Sequence, residues 1–252
     1  MTVYFIGAGP GAADLITVRG ADLLARCGAC LYAGSLVPRE LLTRCPPDAT
    51  LVDTARMPLS NIIDEISRAH EAGHDVARLH SGDLSLYSAL AEQLRELERL
   101  GIDYELVPGV PAFAAAAAAL GRELTVPEVG QSLLITRVST LSTDMPSGEE
   151  LGRLADTGVT LALHLSAHRA AEITAVLVPR YGADCPAAVV AFASRPEQRV
   201  IRCQLADLAD RMHAADVVRT AVIFVGPVLA AAGFVDSYLY SRARTVKLQQ
   251  AP

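Results

Sequence analysis

Short apolar runs alternate with helix-like patterns through the first half of the chain, and this alternation restricts the possible folds more than any other feature. The first run, residues 3–6, is apolar throughout, which is typical of a strand buried on both faces of a parallel sheet. Further strands are predicted at residues 31–32, 50–52, 76–79 and 104–107, and helices at residues 38–44, 60–71 and 86–100. The first half therefore predicts an α/β fold with a parallel sheet covered by helices.

The pattern changes beyond about residue 122. Strands are predicted at residues 132–138, 160–164, 187–193, 199–203 and 221–226, and helices at residues 167–178 and 205–212. Two of these strands follow one another directly across a turn at Pro196, which indicates an antiparallel hairpin and therefore a mixed sheet. We predict two α/β domains, residues 1–122 with the parallel sheet and residues 123–252 with the mixed sheet.

A glycine-rich turn, residues 7–12, follows the first strand and precedes a helical pattern, which is also the context of a dinucleotide-binding turn. Pro10 removes one backbone N–H from the arc that would bind a pyrophosphate. The second predicted strand ends at Tyr32 without the acidic residue that would bind a ribose hydroxyl, and no lysine follows the glycines as in a P-loop. The turn thus brings bare backbone to a ligand other than a pyrophosphate.

A second loop, His80-Ser81-Gly82-Asp83, lies between a predicted strand and the helical pattern at residues 86–100. In an open α/β sheet, ligands bind beyond the carboxyl ends of the strands, where this loop is expected. Gly82 permits close approach of backbone to a ligand, and Asp83 either caps the following helix or faces the site. An alanine-rich helix, residues 112–120, is expected either to pack tightly in the core or to let a ligand approach closely.

Charge and hydropathy exclude several classes of protein. The formal net charge is −6 and no basic run occurs, so nucleic acid is not an expected partner. No apolar stretch reaches membrane length and the start has no basic region of a signal peptide, so a cytoplasmic protein is expected. The five cysteines, including Cys27 and Cys30 in a C-x-x-C spacing, are expected to be free thiols, and no metal-ligand pattern is present.

Several short segments follow one another in a fixed order along the chain. They are VYFIGAGPG at residues 3–11, DLIT at 14–17, SGD at 81–83, VPGV at 107–110, LITR at 134–137, TLALHL at 160–165, PAAVV at 186–190 and TAVIFVG at 220–226. In this order they resemble the tetrapyrrole (corrin/porphyrin) methylases, which are S-adenosylmethionine-dependent methyltransferases of cobalamin and sirohaem synthesis. The resemblance extends over nearly the whole chain.

Two segments are similar to one branch of that family. Residues 31–37 and 80–83 resemble the branch that methylates precorrin-4 at C11 in cobalamin synthesis. The uroporphyrinogen-methylating branch usually has Tyr-Asp-Arg-Leu-Val at the first position, with the aspartate as a proposed base, whereas this chain has Ala33 and Gly34 there. Many members also have proline where this chain has Leu84. Methylation of another precorrin or of uroporphyrinogen, and binding without catalysis, are the alternatives.

The resemblance also implies a cofactor site and an assembly. S-adenosyl-L-methionine, converted to S-adenosyl-L-homocysteine, is expected in a cleft between the two domains of a homodimer. The implied cofactor contacts are Pro10, Ser81, Gly82, Asp83, Leu86 and Ala112 in the first domain and Leu165, Ala193 and Ala221 in the second. Asp83 is in addition the candidate for a residue that orients the ligand or the substrate.

The tetrapyrrole substrate implied by the resemblance carries many carboxylates and a large flat ring. Arg137, which follows a predicted strand, is the first candidate for pairing with a carboxylate, and Arg56 and Arg78 are further candidates. Tyr32 and Tyr87 are candidates for stacking on the macrocycle, and either can equally be a residue at the edge of the core.

Overall fold

The computed structural model describes residues 1–34, 36–139 and 143–240, so Ser35 of the family-like segment lies outside the described residues. The chain divides into two compact units. Among the described residues, one contains residues 1–115 together with Ala193–Pro196, and the other contains residues 116–192 and 197–240. The boundary predicted at residue 122 falls a few residues after this division and stays a prediction.

The first unit contains a five-stranded parallel sheet with the order β3-β2-β4-β1-β5. Its strands are β1 (Val3–Gly7), β2 (Ala29–Tyr32), β3 (Thr50–Asp53), β4 (Val76–His80) and β5 (Tyr104–Val107). The predicted parallel sheet is thus confirmed. Because β4, β1 and β5 are neighbours and parallel, the loops that follow them leave the same edge of the sheet side by side.

Helices cover both faces of this sheet. They are α1 (Val18–Leu24), α2 (Arg39–Leu42), α3 (Leu59–Glu71) and α4 (Ala91–Leu100). The next helix, α5 (Ala112–Leu120), begins in the first unit and continues into the second. Phe5 packs in a cluster with Ile66 of α3 and Leu97 of α4, whereas the adjacent Ile6 packs in a different cluster with Leu24 of α1. Successive side chains of a strand point to opposite faces, which explains why the first apolar run is continuous.

The helix predicted to begin at residue 86 begins only at Ala91. Tyr87 and Ala89 have left-handed backbone conformations, with φ of 54° and 49°, and neither fits a right-handed helix. The Ser88 hydroxyl donates to the Leu84 carbonyl and stabilises this irregular loop. The prediction was therefore wrong for the first turn, and Asp83 does not cap α4.

The second unit contains a mixed five-stranded sheet with the order β6-β7-β10-β8-β9. The strands are β6 (Leu133–Thr136), β7 (Thr160–Leu163), β8 (Pro186–Ala191), β9 (Arg199–Gln204) and β10 (Ala221–Val225), and the helices are α6 (Leu151–Ala155), α7 (Ala170–Tyr181) and α8 (Leu208–Ala214). β6 and β7 are parallel, and every other pair is antiparallel, including the β8-β9 hairpin. The mixed sheet and the hairpin are confirmed, whereas α6 was not predicted.

Two smaller expectations concern the cysteines and the helices. All five cysteines are free thiols, and Cys27 and Cys30 are buried, as predicted. Within the described part of the chain, no helix is both long enough and apolar enough to cross a membrane.

Candidate cofactor site at the carboxyl edge of the parallel sheet

The loops that follow β1 and β4 are joined by backbone hydrogen bonds beyond the ends of the strands. The Gly9 N–H donates to the Gly82 carbonyl at 3.2 Å, and the Gly82 N–H donates to the Gly9 carbonyl at 2.8 Å. The Ala8 N–H donates to the His80 carbonyl at 2.7 Å, which continues the same ladder. Gly9 and Gly82 have φ of 81° and 71°, a region that favours glycine. The backbone conformation at this pairing therefore explains why both positions are glycine.

The loop after β5 packs directly on this pair. A Cβ atom at Gly109 would lie 2.2 Å from the Gly82 carbonyl oxygen and 2.7 Å from the Gly7 Cα. A Cβ at Gly7 would in turn lie 2.6 Å from the Gly109 Cα. We call Gly7, Gly9, Gly82 and Gly109 the glycine contact. Three loops therefore meet here main chain against main chain, at the edge where α/β sheets bind ligands.

Asp83 ties two of these loops together. One carboxylate oxygen, Oδ2, accepts from the Gly109 N–H at 2.8 Å, and the other, Oδ1, accepts from the Ser85 N–H at 2.9 Å and from the Ser85 hydroxyl. Partial burial raises the pKa of Asp83, but these hydrogen bonds outweigh burial, and the pKa lies below its ordinary value. Asp83 is therefore an ionised carboxylate that holds the loop after β5 against the loop after β4.

A segment from the second half of the sequence packs with the first unit at the glycine-rich turn. The Ala12 N–H donates to the Ser194 hydroxyl at 2.9 Å, and Arg195 Nη2 donates to the Leu36 carbonyl at 2.7 Å. A Cβ at Gly11 would lie 2.8 Å from the carbonyl oxygen of Ala193, so that residue adjoins the turn that contains Pro10. Ala193 was expected in the second domain, but it belongs with the first unit because of these contacts.

Sequence reasoning missed Ser194 and Arg195. Their partners are distant along the chain, and neither residue belongs to a segment of the family resemblance. Ser194 has a positive φ of 64°, but the sequence gives no indication of such a conformation at a residue other than glycine.

The other predicted cofactor contacts are divided between the two units. In the first unit, Ala112 adjoins the glycine contact, since a Cβ at Gly82 would lie 3.7 Å from the Ala112 nitrogen. Ser81 and Leu86 are half-buried in the loop after β4. In the second unit, Leu165 follows β7 and is 57% exposed, and Ala221 begins β10. The structure thus brings Pro10, Gly82, Asp83, Ala112 and Ala193 together within the first unit.

The candidate substrate residues occupy different surroundings. Tyr32 ends β2 and is half-buried, and Tyr87 is 45% exposed on the loop after β4. Arg137 follows β6, and its guanidinium donates to the backbone carbonyls of Val138, Thr143 and Asp144. Arg56 is exposed. The proposed contacts of these residues with a substrate stay predictions.

His80 is the last residue of β4, directly before the loop, and its exposed fraction is 7%. Burial and, to a smaller extent, nearby Arg78 lower its pKa to about 3, although a backbone hydrogen bond with Ser88 acts in the opposite direction. The ring packs against Phe5 with centroids 5.8 Å apart. His80 is consequently neutral at physiological pH, and its uncharged ring packs in the core next to the loop.

This neutral histidine predicts how stability depends on pH. Unfolded His80 binds a proton below about pH 6.5 and the folded residue does not, so the free energy of unfolding should decrease as the pH falls from 6.5 towards 4. The slope from one histidine is at most about 1.4 kcal/mol per pH unit. Urea unfolding at several pH values should show a smaller slope in His80→Phe, whereas the same change at exposed His213 should leave the slope as in the wild type. Equal slopes in all three proteins would contradict the burial of a neutral His80.

Comparison with protein families assigns the chain to one of them. The model of the tetrapyrrole (corrin/porphyrin) methylases matches residues 2–209, which include both sheets apart from β10. The chain belongs to the tetrapyrrole methylase family. The resemblance predicted from the ordered segments is thus confirmed.

Individual tetrapyrrole methylases are similar over nearly their whole length. A precorrin-4 C(11)-methyltransferase of Rhodococcus erythropolis is 62% identical over 244 residues, which are 97% of this chain and 98% of the relative. The X-ray structure of a cobalt precorrin-4 methyltransferase matches with a TM-score of 0.88 at 37% identity, covering 90% of this chain and 95% of that one. The uroporphyrin-III C-methyltransferase of Thermus thermophilus, solved with S-adenosylhomocysteine, matches with a TM-score of 0.75 at 25% identity, covering 91% and 99%.

Proposed function

We propose that the chain is an S-adenosylmethionine-dependent methyltransferase that converts precorrin-4 to precorrin-5 by methylating C11. The observation that carries this proposal is the 62% identity, over 97% of the chain, to a precorrin-4 C(11)-methyltransferase. The relative named for cobalt-precorrin-4 among the solved structures is less similar, at 37% identity, so we propose the cobalt-free substrate.

The glycine contact fits a cofactor that has no phosphate. Its glycines meet through main-chain atoms, and the close packing at Gly82 and Gly109 excludes side chains. Asp83 is the ionised group beside it, so a pyrophosphate would meet a negative charge there, whereas a ligand that carries a sulfonium or an amino group would not be repelled. Pro10, Ser81, Gly82, Leu86, Ala112 and Ala193, with Leu165 and Ala221 of the second unit, are proposed to surround S-adenosylmethionine.

The reaction requires positioning more than a reactive side chain. When bound, S-adenosylmethionine supplies a methyl group on a sulfonium, from which an electron-rich ring carbon can take it in line. Holding the reacting atoms in line contributes up to roughly 7–11 kcal/mol in favourable cases. The chain contributes rigidity, because hydrogen bonds from Gly9, Gly82 and Gly109 fix the three loops to one another. We therefore assign no covalent catalyst, and we assign Asp83 the role of fixing the site.

The proposed substrate contacts follow from side-chain chemistry. Tyr87, which is 45% exposed, and Tyr32 offer rings for stacking on the macrocycle. Arg137 is the proposed partner of a substrate carboxylate through bidentate hydrogen bonds. The homodimer implied by the family resemblance is also a proposal, which light scattering of the purified chain tests directly.

A transfer assay tests the proposed function. Purified protein is incubated with methyl-labelled S-adenosylmethionine and, in separate reactions, precorrin-4, cobalt-precorrin-4 or uroporphyrinogen III. We expect label in the product from precorrin-4, with the new methyl group at C11 by NMR. Transfer to uroporphyrinogen III but not to precorrin-4 would overturn the proposed substrate. Calorimetric binding of S-adenosylmethionine with no transfer to any of the three would instead support a non-catalytic binding module.

A further inference from the structure

Arg78 of β4 carries a charge that is buried among neutral groups. The residue is 6% exposed, its Nε donates to Gln93 Oε1 at 2.9 Å, and its Nη1 donates to the Thr54 hydroxyl at 2.9 Å. None of the ion pairs found among the described residues includes Arg78. Burial lowers its pKa to about 10, so the guanidinium is still charged at neutral pH. Burying a cation without a carboxylate is costly, which suggests that this arrangement does more than fill the core.

Each neutral partner of Arg78 is oriented by it. A guanidinium has only donors, so Gln93 must present its oxygen to Arg78 and its NH₂ to the other side. Gln93 Nε2 accordingly donates to the Ala89 carbonyl at 2.9 Å. The Thr54 hydroxyl accepts from Arg78 and therefore turns its own proton to the Tyr32 carbonyl, at 3.1 Å. One buried charge thus fixes the direction of two further hydrogen bonds.

Both of those hydrogen bonds end at the carboxyl edge of the parallel sheet. The Ala89 carbonyl belongs to the irregular loop after β4, in which Tyr87 and Ala89 have positive φ. A residue other than glycine is strained in that conformation, so the loop needs contacts that hold it there. The Tyr32 carbonyl ends β2 and also accepts from the Thr54 N–H at 2.7 Å.

We infer that Arg78 is a positioning residue, which acts through Gln93 on the loop of residues 84–90 and through Thr54 on the end of β2. Those two places carry Leu86, Tyr87 and Tyr32, the residues proposed above to contact cofactor and macrocycle, so the inference rests on the proposed function. The initial candidate role of Arg78, direct pairing with a substrate carboxylate, does not fit a side chain that is buried and hydrogen-bonded to neutral groups.

Gln93→Glu separates positioning from stability. A glutamate keeps an oxygen for Arg78 and supplies the missing negative charge, but an ionised carboxylate cannot donate to the Ala89 carbonyl. We expect a melting temperature equal to or above that of the wild type, faster hydrogen–deuterium exchange in residues 84–90, and about a tenfold rise in the Kd for S-adenosylmethionine. Gln93→Leu should show the same changes in exchange and Kd together with a lower melting temperature. Arg95→Ala, an exposed change on the same helix, is the matched control and should alter none of these values.

Exchange is measured on the ligand-free chain, which keeps this inference distinct from the proposed function. Unchanged exchange in residues 84–90 of Gln93→Glu, relative to the wild type and Arg95→Ala, would overturn the positioning role whatever the ligand is. If exchange increases but the wild type binds no S-adenosylmethionine, the positioning of the loop stands and the proposed function fails. Faster exchange with a Kd within twofold of the wild type would show that the loop is held by Gln93 but does not serve the cofactor, and would overturn the inference as stated.

Discussion

Asp83→Ala is expected to weaken S-adenosylmethionine binding by about 10- to 100-fold and to lower kcat with precorrin-4. The substitution removes the acceptor of the Gly109 N–H and of the Ser85 N–H, and hydrogen bonds to a charged group contribute about 1.5–3 kcal/mol each. Without them the loop after β5 is no longer held against the loop after β4. Isothermal titration calorimetry gives the Kd, and the methyl transfer assay gives kcat.

Two further variants identify which hydrogen bond matters. Ser85→Ala removes the hydroxyl that donates to Asp83 but keeps the bond between Asp83 and Gly109, so its Kd should remain within a fewfold of the wild type. Asp83→Asn keeps the shape but has only one acceptor oxygen for the two N–H groups, and an intermediate Kd is expected. An Asp83→Ala protein with full affinity and full turnover would contradict the role assigned to this carboxylate.

Gly109→Ala is expected to lower the free energy of unfolding by about 3 kcal/mol or more, because overpacking a tight contact typically costs 1–3 kcal/mol and the atoms here are main chain. The new Cβ would lie 2.2 Å from the Gly82 carbonyl oxygen. That oxygen also accepts from the Gly9 N–H, so it cannot move away without breaking the pairing of the loops. Urea unfolding at neutral pH measures the change.

The matched control is Gly130→Ala in the second unit. A Cβ at Gly130 would have its nearest neighbour at 3.5 Å, an ordinary contact, so the free energy of unfolding should change by no more than about 0.5 kcal/mol. If both variants unfold at the same urea concentration as the wild type, the close packing of the glycine contact is refuted. If Gly109→Ala is folded but destabilised, its Kd for S-adenosylmethionine shows whether the packing also shapes the site.

The architecture could be predicted where a local pattern determines it. The apolar run at residues 3–6 predicted a strand buried on both faces, and the turn at Pro196 predicted the β8-β9 hairpin. The start of α4 was misplaced because Leu86 and Leu90 keep a helical spacing, whereas Tyr87 and Ala89 have positive φ. Gln93, which is itself held by Arg78 of β4, donates to the Ala89 carbonyl in this loop. Periodicity describes which residues are apolar, but it does not describe where tertiary contacts override the helix.

The candidate site could be predicted only in part, because a local sequence pattern does not describe tertiary contacts. The ordered family segments indicated Gly82, Asp83 and Ala112, and the structure places them together. The hydrogen bonds that fix the loops of the site, such as Asp83 with Gly109 and Ser194 with Ala12, join residues far apart in sequence and leave no local pattern. Contacts of that kind become visible only once the strands are arranged in space.

The glycine contact also determines which positions are open to redesign. Because Gly7, Gly82 and Gly109 meet through main-chain atoms, no choice of side chain can reshape that surface without separating the loops. A library intended to change the substrate should therefore keep these glycines constant and vary Tyr32 and Tyr87, the proposed macrocycle contacts, whose side chains are half-buried and exposed, respectively. New substrate specificity would then come from the varied side chains, while the main-chain packing of the glycine contact stays unchanged.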